Sequence, residues 1–237
     1  MNKAALQKSS GKDQGGRVHG KKRTASKEER QLQLIKATIQ SVAKNGLSDT
    51  TMSTVSSEAG LSQGIINLHF QSKDRLLVET LRYIADEYRE AWEKAIEGAG
   101  ASPAEQLAAL VAVDFKQPVC DRNKLAVWFA FWGESKSRPT YRKICALRDR
   151  AYRTELAQLC GQLIEEGAYQ NQDAEVLATG LSAMTSGLWL DLLTNPRSMS
   201  RERARQICMD YLANAFVRHF PTSHSDESFQ KQGSAGQ

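Results

Sequence analysis

The sequence predicts an all-α fold of about nine helices, and three features of its 237 residues carry that expectation. The five prolines, Pro103, Pro118, Pro139, Pro196 and Pro221, all fall where a residue pattern breaks. Between them, apolar residues recur at the three-and-four spacing of helices rather than in the alternation of strands. Capping signals open the segments: Ser26 with Glu29 forms one capping box, and Ser102-Pro103-Ala104-Glu105 adds a proline in the first turn to another. With 41% hydrophobic residues the chain has ample material for a buried core.

The first helix follows Ser26, with Leu32, Ile35, Ile39 and Val42 as one apolar stripe up to Asn45-Gly46. A short helix from about Met52 to Ala59 starts behind a Thr50-Thr51 cap. Gly60 ends it, because a left-handed terminal residue costs glycine little. Ser62 caps the next helix, which reaches Phe70, and Ser72 caps a long one from Lys73 to Glu97. A fifth begins at Ser102, and further helices fit residues 121–135, 139–166, 173–194 and 200–219. The ends, 1–25 and 221–237, are polar and rich in Ser, Gly, Lys or Gln, a composition that predicts disorder.

Several classes of protein are disfavoured. The longest unbroken apolar run, Leu125 to Trp132, has eight residues, against the roughly 18 to 20 of a membrane-spanning helix. The first 25 residues hold seven Lys or Arg and no apolar block, unlike a secretory signal. The expectation is a cytosolic protein without a membrane span. Cys120, Cys145, Cys160 and Cys208 lack Cys-x-x-Cys spacing and sit in helical patterns, so reduced, packed thiols are expected. Of the four histidines, His19 and His224 lie in the terminal segments, His219 lies near a helix end, and His69 is the fourth. No Gly-x-Ser-x-Gly elbow, phosphate loop or metal-ligand spacing surrounds them. Neither an enzyme, a cofactor nor a metal site is predicted.

The net charge of +5 is loaded at one end. Residues 1–30 carry nine basic side chains against three acidic ones, and the remainder carries 23 against 24. A basic arm of this kind suits a polyanion such as nucleic acid, and it also serves simply to keep a tail in solution. The short helices on either side of Gly60-Leu61-Ser62 fit a helix-turn-helix. Small Ser56 stands at the crossing, Gly60 in the turn, and Val55, Ala59, Leu61 and Ile66 inside the corner. In that geometry the second helix offers Gln63, Gly64 and Asn67 to the major groove, while helix starts at Thr51 and Ser62 take phosphates on free N–H groups. Gln and Asn each match two atoms of an adenine edge, and Gly64 permits close approach. A helical hairpin packed for structure alone would share this skeleton.

The run Gly60-Leu-Ser-Gln-Gly-Ile-Ile-Asn-Leu-His-Phe-Gln-Ser-Lys-Asp-Arg-Leu77 resembles the signature of the TetR family of bacterial repressors, over about residues 26–77. The resemblance implies a DNA-binding domain at 26–74, a phosphate contact by Lys73 and a contact near the DNA backbone by His69. Where most members carry a tyrosine inside the recognition helix, this chain has Asn67 and Leu68. Gly64-Ile65-Ile66, Trp128-Phe-Ala-Phe-Trp132 and Gly180-Leu-Ser-Ala-Met-Thr-Ser-Gly-Leu-Trp-Leu190 are similar to the choline-responsive BetI branch, which represses glycine betaine synthesis from choline. That likeness implies a ligand-binding and dimerisation domain at 75–220 and a homodimer on an inverted-repeat operator.

Within that domain, Trp128 and Trp132 share a helix face with Phe131 beside them, and Trp189 and Tyr152 add further sides to an aromatic wall suited to an organic cation. The same spacing also serves plain core packing. Asp114 and Asp191, acidic residues inside apolar runs, are possible counter-charges. Gly180, Ala183 and Gly187, beside Met184, Leu188 and Leu192, let helices approach closely. The resemblance puts the dimer interface there, and packing within the chain would use the same residues.

Deletion of residues 1–25 is expected to lower DNA affinity and flatten its salt dependence while keeping most sequence preference, because phosphate contacts position more than they specify. Binding isotherms over a salt series check this, and an unchanged slope would make the arm a solubilising extension.

Overall fold

The computed structural model describes residues 26–220; the expected basic arm and carboxy-terminal tail, with His19 and His224, lie outside the described residues. Among these, nine helices and no strands occur. They are α1 (Lys27–Asp49), α2 (Met52–Glu58), α3 (Gln63–His69), α4 (Lys73–Glu97), α5 (Pro103–Asp114), α6 (Arg122–Glu134), α7 (Pro139–Gly167), α8 (Ala174–Thr194) and α9 (Arg201–Ala215).

The starts follow local chemistry. Ser26 and Glu29 close the expected capping box on α1, and Ser102 with Glu105 closes the one on α5. Asp121 accepts from the backbone N–H groups of Asn123 and Lys124 at 3.0 and 3.2 Å, and Asp173 caps α8 in the same way. These carboxylates neutralise the positive end of each helix. Gly46, at φ 78° and ψ 173°, breaks α1 at the expected place, and a short helical segment follows to Asp49. The expected last helix is shorter than 200–219: Phe216, at φ −126° and ψ 60°, ends it, and residues up to Phe220 form turns.

Two cores divide the molecule. A small one joins Leu34 and Ala37 of α1 to Val55, Ile66, Phe70 and Leu76, making a three-helix head whose last member comes from the first turn of α4. The larger one runs through α4 to α9 and also takes in Ile39 and Val42 of α1. Thus α1 feeds both cores from successive turns. The apolar stripe differs slightly from expectation: Leu34 is fully buried whereas Leu32 is 36% exposed, since 34, rather than 32, is in phase with Ala37 and Ser41.

The head is tied to the body by polar bonds as well. Lys73 Nζ donates to the carbonyls of Leu47 and Ser48 at 2.9 and 3.1 Å, fastening the start of α4 to the end of α1. Asn123 of α6 donates to Gln40 of α1 at 2.7 Å. Inside the head, buried Ser41 lies 3.3 Å from the Thr50 hydroxyl and 3.1 Å from that of Thr54, so this polar corner is satisfied internally.

One helix exceeds its sequence reading. α8 is 21 residues long with a mean hydropathy of 1.4 over its most apolar 18, long and apolar enough by composition to cross a membrane. The run-length criterion missed it because Thr, Ser and Gly interrupt the apolar residues. Here α8 is one wall of the helical body. Leu177, Leu181, Leu188 and Trp189 enter the core, while Val176, Ala183, Gly187 and Leu190 stay on the open side.

Candidate functional site

The head presents a helix-turn-helix. Gly60 adopts φ +63°, the left-handed conformation that glycine tolerates. The Leu61 N–H then bonds the Ser56 carbonyl at 2.9 Å, and Gln33 of α1 donates to the Ala59 carbonyl at 2.8 Å. With the turn pinned, Ile66 points into the core and Gln63, Gly64, Asn67 and Leu68 are exposed on α3. Ser62, the N-cap of α3, makes no side-chain capping bond, so its hydroxyl is available. Thr51 caps α2 through the Thr54 N–H at 3.1 Å and is itself exposed. Leu68 was not among the expected DNA-facing residues. It is 80% exposed, a large apolar side chain on the open face of α3.

Two expected backbone contacts look different in place. Lys73 commits two of its three ammonium donors to the end of α1. It is thus a seam residue of the fold before it is anything to a phosphate. His69 is half-buried at the end of α3, and its Nδ1 is buried without a hydrogen-bond partner.

In the body, four helices converge on one buried ion. The Arg148 guanidinium of α7 lies 4.2 Å from the ring centre of Tyr88 (α4), 4.7 Å from Trp128 and 5.7 Å from Trp132 (both α6), and 5.1 Å from Trp189 (α8). Its side chain is only 8% exposed. Arg148 donates to Asp149 at 2.6 Å, while its Nε has no partner. The expected wall of Trp128, Trp132 and Trp189 is therefore a cation-holding box.

Beneath it sits Asp114, fully buried near the end of α5. Tyr88 donates to its Oδ1 at 2.7 Å, Tyr152 donates to its Oδ2, and the Trp189 indole N–H bonds the Asp114 carbonyl at 2.8 Å. Burial pushes its carboxyl up to about 6, against the two tyrosine hydrogen bonds, which favour the charged form. The Tyr88 and Tyr152 hydroxyls are raised well above their ordinary range by burial, so both remain protonated donors. An acidic residue in the run Val-Ala-Val-Asp-Phe was a visible signal for this group. Tyr88 and Arg148 were not foreseen, since Arg148 stands in the charged stretch Arg-Asp-Arg that reads as a solvated face.

The remaining expected residues separate. Tyr152 supports Asp114 and packs its ring 5.5 Å from Tyr88. Phe131 is fully buried, with its ring 4.8 Å from Tyr141, about a quarter-turn of helix away from Trp132. Asp191 is half-buried and accepts from Asn195 at 3.0 Å, so it serves the end of α8. Of the small-residue set, Gly180 lies under Tyr211, whose hydroxyl would be 2.9 Å from an added Cβ. Leu188 is buried in the core, and Met184 and Leu192 pack against it. Ala183 and Gly187 are exposed, and a Cβ at Gly187 would meet nothing within 4 Å.

The other titratable clusters are structural. Cys120, Cys145, Cys160 and Cys208 are buried, with thiols pushed up to about 11, 11, 12 and 12 by burial, which keeps them unreactive. His219 Nδ1 is 3.0 Å from the Tyr169 hydroxyl, and Arg218 bonds the Gly167 carbonyl, latching the last turn to the end of α7. No metal-binding cluster occurs among the described residues.

Comparison with known proteins matches residues 34–80 to the family model for bacterial regulatory proteins of the tetR family, and residues 103–217 to the model for the carboxy-terminal domain of BetI-type transcriptional repressors. The HTH-type transcriptional regulator BetI 1 of Chromohalobacter salexigens is 31% identical over 196 residues, covering 83% of this chain and 94% of that protein. The BetI regulator of Stenotrophomonas maltophilia is 32% identical over 183 residues, covering 77% and 91%. Among solved structures, a transcriptional regulator from Saccharomonospora viridis in complex with choline superposes with a TM-score of 0.71 at 27% identity, covering 78% of this chain and 96% of that one. A regulator from Pseudomonas aeruginosa PAO1 gives 0.72 at 30% identity, covering 82% and 94%.

Asp114 has a pH signature. Its folded pKa of about 6 lies above the ordinary 3.8, so ionising it inside the fold costs stability as pH rises through that window, roughly 3 kcal/mol once complete. Asp114→Asn, which keeps the shape without the charge, is expected to gain stability relative to the parent at pH 7.5 and to lose that advantage as pH falls to about 4. Denaturation curves of both proteins across this range provide the check. A constant difference at all pH values would deny the carboxylate its charge cost.

Proposed function

Because the chain belongs to the tetR family of bacterial regulatory proteins and ends in a BetI-type repressor domain, we propose that it represses genes for glycine betaine synthesis from choline and answers to choline or a related quaternary ammonium compound. The chain is a helix-turn-helix DNA-binding transcriptional regulator, and its relatives are regulators rather than enzymes.

The aromatic box above a buried carboxylate is what favours a quaternary ammonium effector. A quaternary ammonium has no N–H to donate, so ring faces and a nearby negative charge are its main means of recognition. Tyr88, Trp128, Trp132 and Trp189 supply the faces, and Asp114 supplies the charge. The choline complex of the similar Saccharomonospora viridis regulator supports the choice of ligand.

Occupancy of the box reaches the head through α4 and α6, which carry its rings. Lys124 of α6 pairs with Glu87, the neighbour of Tyr88 on α4, and α6 packs along α1. An effector changes DNA affinity only by binding one head arrangement more tightly than another. On DNA, Gln63, Asn67 and Leu68 read bases, with Gly64 allowing close approach, while Thr51, Ser62 and His69 lie beside the phosphates and Lys73 braces α4. Two copies meet along the open side of α8, where Ala183 and Gly187 let the helices approach and Val176 and Leu190 add apolar surface. A two-fold dimer of this kind binds an inverted repeat with half-sites about 34 to 36 Å apart, or a multiple of that spacing.

Choline or betaine aldehyde is expected to release the protein from the DNA upstream of its own gene in a gel-shift titration, and Trp132→Ala to weaken that response about thirtyfold, the equivalent of roughly 2 kcal/mol of desolvated cation–π attraction. Full retention of the complex at saturating amounts of both compounds would discard choline control and leave the regulator class intact.

Gly187→Arg is expected to convert the dimer to a folded monomer that no longer protects an inverted repeat. A side chain there meets open space within one chain, and replacing a mid-helix glycine favours the helix by about 0.5 to 1 kcal/mol. Light scattering and circular dichroism together check this; a dimer of unchanged mass would move the interface elsewhere.

A further inference from the structure

The box that suits an organic cation already contains one. Arg148 is permanently charged and brings its own aromatic contacts, yet its hydrogen bonding is poor for a guanidinium with five donors. One bond goes to Asp149, and Nε is buried with no partner. A buried donor left unmade is unfavourable, so beyond the single pair with Asp149 this placement is held by the ring faces and the Asp114 charge. Beside the ion, a cavity of about 180 Å³ opens between α4 and α7; Trp92, Ile144, Leu147 and Arg148 line it together with Asp86, and Arg82 and Arg89 add positive charge to its α4 side.

We propose that Arg148 is a resident cation occupying the effector's seat in the ligand-free protein, and that a quaternary ammonium compound binds by exchange, sending the guanidinium out through the opening between α4 and α7. This rests on the quaternary ammonium reading given above.

Three features support exchange. It is electroneutral: one cation replaces another above Asp114, so the buried carboxylate never lacks a counter-charge. It is also asymmetric in hydrogen bonding. The outgoing guanidinium regains water on its unpaired donors, whereas the incoming trimethylammonium has none to lose. Finally, it keeps four rings apart in the absence of ligand, so the seat does not collapse when empty of effector. Because Arg148 and Tyr88 lie on the two helices bordering the opening, its departure changes what holds α4 to α7. The affinity for effector is then the intrinsic affinity reduced by the fraction of molecules with the seat free.

The test measures choline binding by calorimetry to the full chain and to Arg148→Ala and Arg148→Lys. Arg148→Ala, with no cation to expel, is expected to bind choline at least about tenfold more tightly than the parent, since removing the competing state removes its reduction of affinity. Arg148→Lys, which keeps a cation on the same stem, is expected to stay close to the parent. A second readout uses the unaltered protein. The Nε–H resonance of Arg148, assigned by its loss in Arg148→Lys, is shifted by the surrounding rings and is expected to disappear into exchange with water as choline saturates. Equal or weaker choline binding by a folded Arg148→Ala, or an Nε–H signal that persists at saturation, would overturn the exchange while leaving choline recognition standing. In the second case Arg148 is part of the seat rather than its occupant. Absence of choline binding to both the parent and Arg148→Ala would overturn the exchange and the choline reading together.

Discussion

A guanidinium enclosed in protein needs compensation from every side, because a charge withdrawn from water is tolerated only where other charges and dipoles replace the solvent. In this chain that compensation is spread over five helices. Tyr88 comes from α4, Asp114 from α5, Trp128 and Trp132 from α6, Tyr152 and Asp149 from α7, and Trp189 from α8. Each element of the body except α9 thus contributes a side chain to this one cluster, either against the ion itself or, for Asp114, through Tyr88. The arrangement accounts for the concentration of large aromatic residues in α6 and for a carboxylate in the apolar run of α5, neither of which packing alone demands.

The head depends on this arrangement indirectly. α1 supplies Leu34 and Ala37 to the small core and Ile39 and Val42 to the large one. Since these residues lie on one continuous helix upstream of Gly46, the two cores cannot turn freely against each other. α4 repeats the design, with Leu76 in the head and Leu77, Leu81 and Ile84 in the body. The polar bonds Gln40 to Asn123 and Glu87 to Lys124 lie along the same seam. Motion of α3 is therefore motion of α1 and α4 relative to α6.

Sequence reasoning reached the helices and the head because these are local matters. Caps, a turn glycine and apolar phase are written within a few residues of where they act, and Gly46, Gly60 and Ser102 stand where the sequence predicts. Long-range partnership is less visible. Arg148 has acidic and basic neighbours in sequence, which is the pattern of an exposed helix face, and only the convergence of α4, α6 and α8 reveals it as buried. Phe131 misled for the opposite reason: adjacency to Trp132 in sequence places it on another side of the helix, against Tyr141. The interrupted apolar pattern of α8 concealed how much of that helix faces outward.

The bond from Lys73 to the end of α1 has a mechanical meaning. By joining the first turn of α4 to the carbonyls of Leu47 and Ser48, it removes the joint at which the head could swivel on its own. Whatever angle α4 takes is then passed on whole. Fifteen residues of helix separate Lys73 from Tyr88, an arm of roughly 22 Å, so a tilt of about 5° pivoting near Tyr88 carries Lys73, and the head clamped to it, sideways by about 2 Å. A change of angle too small to open a gap at the rings becomes, at the far end of a rigid boom, a sideways shift of the whole α3 surface.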